Sequence, residues 1–440
     1  MDLQIVYLGL FSTFMDSATF YYQFVLVQVF PEKYNQAMNA LCVYRGFICI
    51  GGTMDFELTP DQELFIASAK EYAEKYFTPE AIKQAYEVDH HISLEAAMAF
   101  RELGFMHLGL PEEVGGIPCD KLTLVLLMEK LHEYTTCVLP FQTDFNSIMD
   151  VIEFGNEEQQ KKIMDVVNNV PSTSVAVTAI SEPGAGSDNN AMTCVTVKQP
   201  DGTYLLNGQK TWVTIGHLAV YTILVAKDED PSYENDNYSL WMIPNDIEGY
   251  TFGGLEKIGQ QIVPFVDCFF DNVVLTEDMR LGKPGEGWKN LMKKLEFERC
   301  LVIAQALGQA QAVMNEAGAY CSERICFQKP IGHISAIQQH LVEMETILDN
   351  VRTRLYKVTT MLDKGQSTRL ESALLKSYAC QNLTKVAEHA LSIYAGIGYT
   401  KEINAGRIWN DLKGYEFAGG TTEIMNYISG RQLVKKYKKQ

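Results

Sequence analysis

Residues 178–191 read TAISEPGAGSDNNA, and residues 206–216 read LNGQKTWVTIG. The first is a short strand followed by a glycine-rich loop, with Ser187 and Asp188 near its tip. Glycine lets backbone approach a ligand closely, and such a loop can offer N–H groups and hydroxyls to a flavin or a phosphate. The third glycine of G-x-G-x-x-G is absent, as is Gly-Lys-Ser/Thr, so neither the dinucleotide fingerprint nor the P-loop applies. The second stretch is a turn leading into a strand that sets Trp212 and Thr214 on one face, since alternate strand residues share a side. Alone, the glycine loop is a tight turn; the two stretches together are far more specific.

Working outward, residues 175–281 keep a period of two. Short β-branched and aromatic runs such as TSVAVTAI, AVYTILVA, YSLWMIP and VDCFFDNVVL are separated by turn signals such as Pro200-Asp201-Gly202, which predicts an antiparallel sheet or barrel of about a hundred residues. On both sides the period becomes helical. Before the β segment come QELFIASAKEYAEKYF, SLEAAMAFRELGF and KLTLVLLMEKLHEY; after it come three stretches long enough for bundle helices, starting at Trp288. The expected fold is mixed α and β: an N-terminal helical domain at 54–174, a middle antiparallel β domain at 175–285 and a C-terminal helical bundle at 286–440. The final KKYKKQ reads as a frayed, solvated tail.

At 440 residues the chain has room for two or three domains and a large buried site. It is 47% hydrophobic and 21% charged, the balance of a folded protein. A formal net charge of −18 argues against a nucleic-acid partner, which requires a basic face. Ten scattered cysteines form no Cys-x-x-Cys pair and no zinc spacing, so they read as reduced packing residues of a cytoplasmic protein that binds no metal.

Residues 5–30 are apolar, with only Asp16 charged. No Lys or Arg precedes the run, and Asp16 would sit mid-bilayer in a span of ~20 residues, so the secretory reading is weak. Met54 reads as a natural first residue, with 1–53 arising from an upstream start; a membrane-proximal segment is the alternative.

In order along residues 54–440, MDFELTPDQELF, LGLPEEVGG, SEPGAGSD, NGQKTWVT, FFDNVVL, GEGW, ERICFQKPIG and GGTTEIM resemble the motifs of the acyl-CoA dehydrogenase family. The resemblance implies the same helical–β–helical order and FAD bound in extended form at a subunit interface, in a homodimer or homotetramer. By position, Thr178, Ile180, Ser181, Trp212 and Thr214 are implied contacts to the flavin ring, and Ser187 a contact to the acyl-CoA. Trp212 would cover the ring with a large flat surface while Thr214 supplies a hydroxyl. Arg324 resembles the arginine that reaches the FAD pyrophosphate of a neighbouring subunit, with Phe327 beside it; the bland reading is a surface arginine. Gly396 matches a cofactor element from which the chain departs at Ser392, where Gln is common, and at Ala395, where Gly is common. Thr421 and Glu423 match positions that touch the adenylate part.

The implied chemistry, α-proton abstraction with β-hydride transfer to a flavin or its reverse, needs a carboxylate at the thioester α-carbon and donors on the carbonyl oxygen. Many family members place that carboxylate directly before G-T, where this chain has Gly419. Glu416 lies three residues earlier and Glu423 falls on the cofactor position. A minority carry the base on the first helix of the C-terminal bundle, and Glu298 in LEFERCLVIAQALGQAQ matches it. That helix reads as largely buried, so its carboxylate needs a function or a basic partner. The Gly419 N–H would join a flavin ribityl hydroxyl on the thioester oxygen, and Arg299 would support the CoA side or orient the helix.

Within the family, SEPGAGSDNN, KPIGH and GGTTEIMNYISGRQLVKKY most resemble the bacterial branch that includes crotonobetainyl-CoA reductase. This implies saturation of a 2-enoyl-CoA with electrons from an electron-transferring flavoprotein. The alternatives are a short- or branched-chain acyl-CoA dehydrogenase, an oxidase, and, from another class, a non-catalytic flavin-binding assembly protein.

Overall fold

The computed structural model describes residues 57–229 and 238–438; the expectations for residues 1–53 lie outside them. All elements below belong to one compact unit, Pro60–Gln440.

Four of the six N-terminal helices start where a side chain takes up a free backbone N–H group. They are α1 (Pro60–Tyr76), α2 (Pro79–Gln84), α3 (Leu94–Glu102), α4 (Lys121–Thr135), α5 (Phe141–Phe154) and α6 (Glu157–Asn169). Ser93 caps α3, Asp120 caps α4 through the Thr123 N–H, and Asn156 with Gln159 forms a reciprocal capping box on α6. Phe100 stacks on Phe141 with ring centroids 3.5 Å apart and Tyr72 edge-on, joining α1, α3 and α5.

The middle segment is an eight-stranded sheet: β1 (Ser174–Ala179), β2 (Val195–Lys198), β3 (Tyr204–Thr214), β4 (Ala219–Glu229), β5 (Tyr238–Pro244), β6 (Tyr250–Leu255), β7 (Phe265–Leu275) and β8 (Arg280–Leu281). The spatial order is β6-β7-β3-β2-β4-β5-β8, and most pairings are antiparallel. Two are parallel: β1 runs beside residues 219–224 of β4, and β2 beside residues 227–229. Because β5 takes the other edge of β4, β1 and β2 act as one broken strand on a single edge. The glycine loop is the excursion between its halves.

The C-terminal part opens with α7 (Gly287–Glu323), a helix of 37 residues, followed by a hairpin of β9 (Ile325–Cys326) and β10 (Lys329–Pro330). Then come α8 (Ser335–Asp363), α9 (Arg369–Tyr394), α10 (Ala405–Gly414) and α11 (Thr422–Tyr437). The run Arg299–Ala310 of α7 is buried on every side, packed between α4, α8 and α9. At Gly308 a Cβ would stand 2.1 Å from the Glu129 carbonyl oxygen, so glycine lets α7 lie directly on α4. The terminal lysines differ from a frayed tail: Lys435 and Lys436 form the exposed last turn of α11, where basic side chains complement the helix dipole.

A buried carboxylate knits the three parts together. Asp411 of α10 accepts from the Tyr86 hydroxyl (2.7 Å), the Gln309 amide (3.3 Å) and the Gln260 N–H, with Arg407 at 3.7 Å. Asp144 of α5 does the same locally, accepting from Ser174 Oγ (2.6 Å) and the N–H groups of Val175 (2.8 Å) and Ala176 (3.1 Å) at the start of β1.

Candidate active site

The two stretches singled out in the sequence are fastened to each other. Lys210 of β3 is fully buried, and its Nζ donates to the Ile180 carbonyl and to Glu182 Oε1, both at 2.8 Å. The Thr211 N–H donates to the Ser181 carbonyl at 2.9 Å. Glu182 also accepts from the Thr193 N–H (2.6 Å) and hydroxyl (2.9 Å) and the Cys194 N–H (3.1 Å). Burial pushes the Glu182 carboxyl up, but its donors, led by Lys210, more than offset this and hold it below the ordinary value. Neither Lys210 nor Glu182 was assigned a role from sequence; a lysine in the middle of an apolar strand is the signal that could have found the pair.

This frame presents the predicted ring-binding group. Thr178 shares a 2.9 Å hydrogen bond with Ser147 of α5, and Ile180 and Ser181 are half-buried. The β3–β7 register shifts between Lys210 and Val213, and Trp212 there has φ 59° and is 58% exposed, an indole turned outward by an irregularity in the strand. Thr214 is half-buried two residues on. Ser187 and Asp188 are exposed at the loop tip, and a Cβ at Gly184 or Gly186 would meet nothing within 4 Å.

The second group gathers on α7 and the loop before α11. Arg299 is buried, and its Nε donates to the Gly419 carbonyl at 3.3 Å. Arg299 thus joins α7 to the Gly419 loop beside Glu298, and Lys376, which binds that loop, also acts on the Glu298 carboxyl through its charge. Gly419 and Gly420 have φ 62° and 98°, conformations that favour glycine. Lys376 of α9, also fully buried, donates to the carbonyls of Glu416 (3.1 Å) and Gly420 (2.6 Å) and so fixes the loop's path. Glu416 forms a 2.8 Å ion pair with Lys413. Glu298 is half-buried and makes no such pair among the described residues; burial pushes its carboxyl up, opposed by the charges of Arg299 and Lys376. Burial lowers both Lys376 and Arg299. Thr421 caps α11 through the Ile424 N–H, and Glu423 is exposed in its first turn.

Helix α5 bridges the groups. Ser147 touches Thr178 on one side, and on the other Lys294 of α7 donates to the Met149 carbonyl (3.3 Å) and pairs with Glu153 (2.6 Å).

The third group stands apart. Arg324 follows the last residue of α7, some 25 residues beyond Glu298, or roughly 40 Å along the helix. Phe327 is 87% exposed at the hairpin turn. Gly396 lies close to this end, where Tyr394 meets Tyr320 with ring centroids 4.7 Å apart. Ala395 has φ 54°, so an alanine holds a backbone conformation that glycine adopts freely. Ser392 is exposed, and its hydroxyl donates to the Glu388 carbonyl of its own helix.

Among the described residues no cluster of three or more potential metal ligands occurs, no helix is long and apolar enough to cross a membrane, and the eight cysteines carry free thiols.

Family models for the N-terminal, middle and C-terminal domains of acyl-CoA dehydrogenase match residues 59–168, 177–273 and 285–434. The chain is 35% identical over 386 residues to a probable acyl-CoA dehydrogenase, YdiO, of Escherichia coli, covering 87% of this chain and 99% of the relative. It is 29% identical over 380 residues to the 3-(aryl)acrylate reductase of Clostridium sporogenes, covering 86% and 99%. The structure of butyryl-CoA dehydrogenase from Megasphaera elsdenii superposes with a TM-score of 0.81 at 27% identity, covering 87% of this chain and 100% of that one. With three domain models matched in order and this likeness along the shared length, the chain belongs to the acyl-CoA dehydrogenase family, the flavoprotein oxidoreductases of the CH–CH bond in acyl-CoA thioesters.

Proposed function

We propose that this chain interconverts an acyl-CoA and its 2-enoyl-CoA with Glu298 as the acid–base group, and that it runs physiologically as an enoyl-CoA reductase of the crotonobetainyl-CoA type. The carrying observation is the Arg299–Gly419 bond, which ties the base helix to the glycine loop while Lys413 engages Glu416. A base must be unpaired, and between Glu298 and Glu416 it is Glu298 that has no ion pair among the described residues, which supports the reading.

The residues fit FAD. Trp212 offers an open indole face, Gly184 and Gly186 leave room before the loop, and Ser181 and Thr214 stand beside them. Bound FAD would supply the two-electron centre for hydride transfer. Arg324, Phe327 and Gly396, roughly 40 Å from Glu298 along α7, suit the FAD of a second copy, which supports a homodimer or homotetramer. Electron-transferring flavoprotein is the proposed redox partner, and the cytoplasm the proposed compartment.

Within the site, Glu298 takes the α-proton in oxidation or delivers it in reduction. The Gly419 N–H stabilises negative charge on the thioester oxygen. Arg299 fixes that N–H by holding the same residue's carbonyl, acting as a positioning residue rather than a CoA contact. Thr421 and Glu423 lie at the α11 N-terminus, on the adenylate side of the proposed cofactor path.

Glu298→Gln should keep its flavin and lose about 10²- to 10⁴-fold in turnover. Near-normal turnover would hand the role to Glu416. Anaerobic titration with saturated and 2-enoyl esters decides direction: reoxidation of the reduced enzyme by the enoyl ester supports the reductase, whereas bleaching by saturated short-chain esters alone supports a short- or branched-chain dehydrogenase.

A further inference from the structure

Helix α5 carries two buried aspartates. Asp144 accepts three hydrogen bonds at the start of β1. Asp150 is 4% exposed, and its sealed Oδ1 has no hydrogen-bond partner among the described residues. A carboxylate in that position is costly, whereas a protonated carboxyl has no charge to desolvate.

The helix pairing sets Asp150 against the helix face that carries Glu298. Helices α5 and α7 run antiparallel, as two contacts show: Glu153 pairs with Lys294 (2.6 Å), and the Leu139 carbonyl, just before α5, accepts from Gln305 (3.5 Å). On α7, Glu298 lies one turn after Lys294 and two turns before Gln305, so all three share one stripe. On α5, Asp150 lies one turn before Glu153 and shares its face. Each carboxyl therefore sits between the two contacts, on the facing side of its helix.

The surrounding charges divide unequally between the two. Lys294 is the cation that acts on Asp150, and its Nζ already bonds Glu153 and the Met149 carbonyl (3.3 Å). Two cations, Arg299 and Lys376, act on Glu298. The other elements against α5 add little at Asp150. Strand β1 has no charged residue, those of α6 are exposed, as is Lys293, and Glu296 accepts from the Thr368 N–H (2.8 Å) and hydroxyl (2.9 Å). Burial pushes the Asp150 carboxyl up to about 7; Lys294 opposes this, and the charges of Glu298 and Glu153 add to it.

We propose that Asp150 and Glu298 titrate as a coupled pair that holds one proton near neutral pH, resident on Asp150, and that Asp150 tunes Glu298 as a positioning residue. This rests on the reading of Glu298 as the base. The tuning favours one direction of the reaction. To reduce an enoyl ester, Glu298 must carry the proton it gives to the α-carbon as hydride reaches the β-carbon. Where Asp150 is ionised, its negative charge makes Glu298 hold that proton more tightly. To oxidise an acyl ester, Glu298 must be ionised, and at the acid limb Asp150 is neutral and adds no charge.

The test uses the flavin-loaded full chain with and without ¹³C-labelled aspartate, followed by infrared spectroscopy from pH 5 to 9. A protonated aspartate C=O band should be present at pH 6, fade as pH rises through about 7, and be missing from Asp150→Asn. In Glu298→Gln its midpoint should fall, because the neighbouring charge is gone. Absence of the band in the wild type, which needs no variant to fold, overturns the proposal; so does an unmoved midpoint in Glu298→Gln. Kinetics supplies the second arm. Between pH 6 and 8.5 the wild-type advantage over Asp150→Asn in reductive kcat/KM should grow about tenfold, one pKa unit of coupling, while the acid limb of dehydrogenation keeps its place. A loss that is equal at all pH and in both directions marks Asp150 as structural and overturns the tuning. If Glu298→Gln keeps normal turnover, the base reading fails and the tuning with it, while the midpoint still decides whether the two carboxyls are coupled.

Discussion

Two glycine loops meet the proposed cofactor and substrate, and each is braced by a lysine with no exposed surface. After β1, Lys210 holds the Ile180 carbonyl and the Glu182 carboxylate. Before α11, Lys376 holds two carbonyls, those of Glu416 and Gly420. The glycines differ as well. Gly184 and Gly186 lie outside the left-handed region, and nothing in the chain would crowd a Cβ at either; Gly419 and Gly420 are left-handed. The first loop is charge-neutral, with glycines that leave space. The second is held by a cation that bonds only carbonyls and whose charge also reaches Glu298, with glycines that set the backbone path.

The largest expected effect comes from breaking the neutral brace. Lys210→Met leaves Glu182 buried without its cation and should cost about 3–5 kcal/mol in urea unfolding at pH 7. The sign of its pH dependence follows from the lowered carboxyl of Glu182. A group depressed in the folded state stabilises above its unfolded value of about 4.3, and that contribution is lost as pH falls through the folded value. The gap between wild type and variant should therefore narrow once the pH drops below about 4. A gap that stays constant from pH 7 to 3 would mean the pair adds nothing specific.

Lys376→Met tests the charged brace. Two carbonyls lose a donor, so about 1–3 kcal/mol of stability should go. The distinctive readout is kinetic. Lys376 opposes the upward push of burial on Glu298, so removing it raises the Glu298 carboxyl further. In the dehydrogenation direction, where Glu298 must be ionised, the acid limb of kcat/KM should move to higher pH; in reduction, where it must be protonated, the alkaline limb should move the same way. An unmoved limb would make Lys376 purely a loop anchor.

The contrast also explains what could be read from sequence. Helical and period-two patterns are local, so the helix–sheet–helix order, the glycine loop at 184–186 and the buried character of α7 from Arg299 onward were all legible. The two parallel pairings were not, because placing β1 and β2 on one edge of β4 depends on strands distant in the chain. Lys210 and Glu182 lie 28 residues apart, and Tyr86 and Asp411 325 apart; no periodicity links such partners. Asp150 was hidden differently. In FNSIMDVIEF it looks like any polar residue on an amphipathic helix, yet its buried Oδ1 has no hydrogen-bond partner among the described residues, unlike the bonded Asp144.

The glycines give the finest test. At Gly420 an added Cβ meets the end of the flexible Met425 side chain at 2.7 Å, which can yield, but φ 98° cannot be relieved. Gly420→Ala should therefore lose about 1–2 kcal/mol, the cost of a left-handed alanine. At Gly186 neither space nor φ opposes alanine, and a stiffer unfolded chain slightly favours it, so stability should stay within about 0.5 kcal/mol of wild type. If the first loop's glycines leave room for ligand, Gly186→Ala should instead retain flavin less well or raise the KM for the thioester. Wild-type flavin content and KM in Gly186→Ala would reduce that loop to a turn, and would leave Trp212 and Thr214 as the evidence for the cofactor on that side.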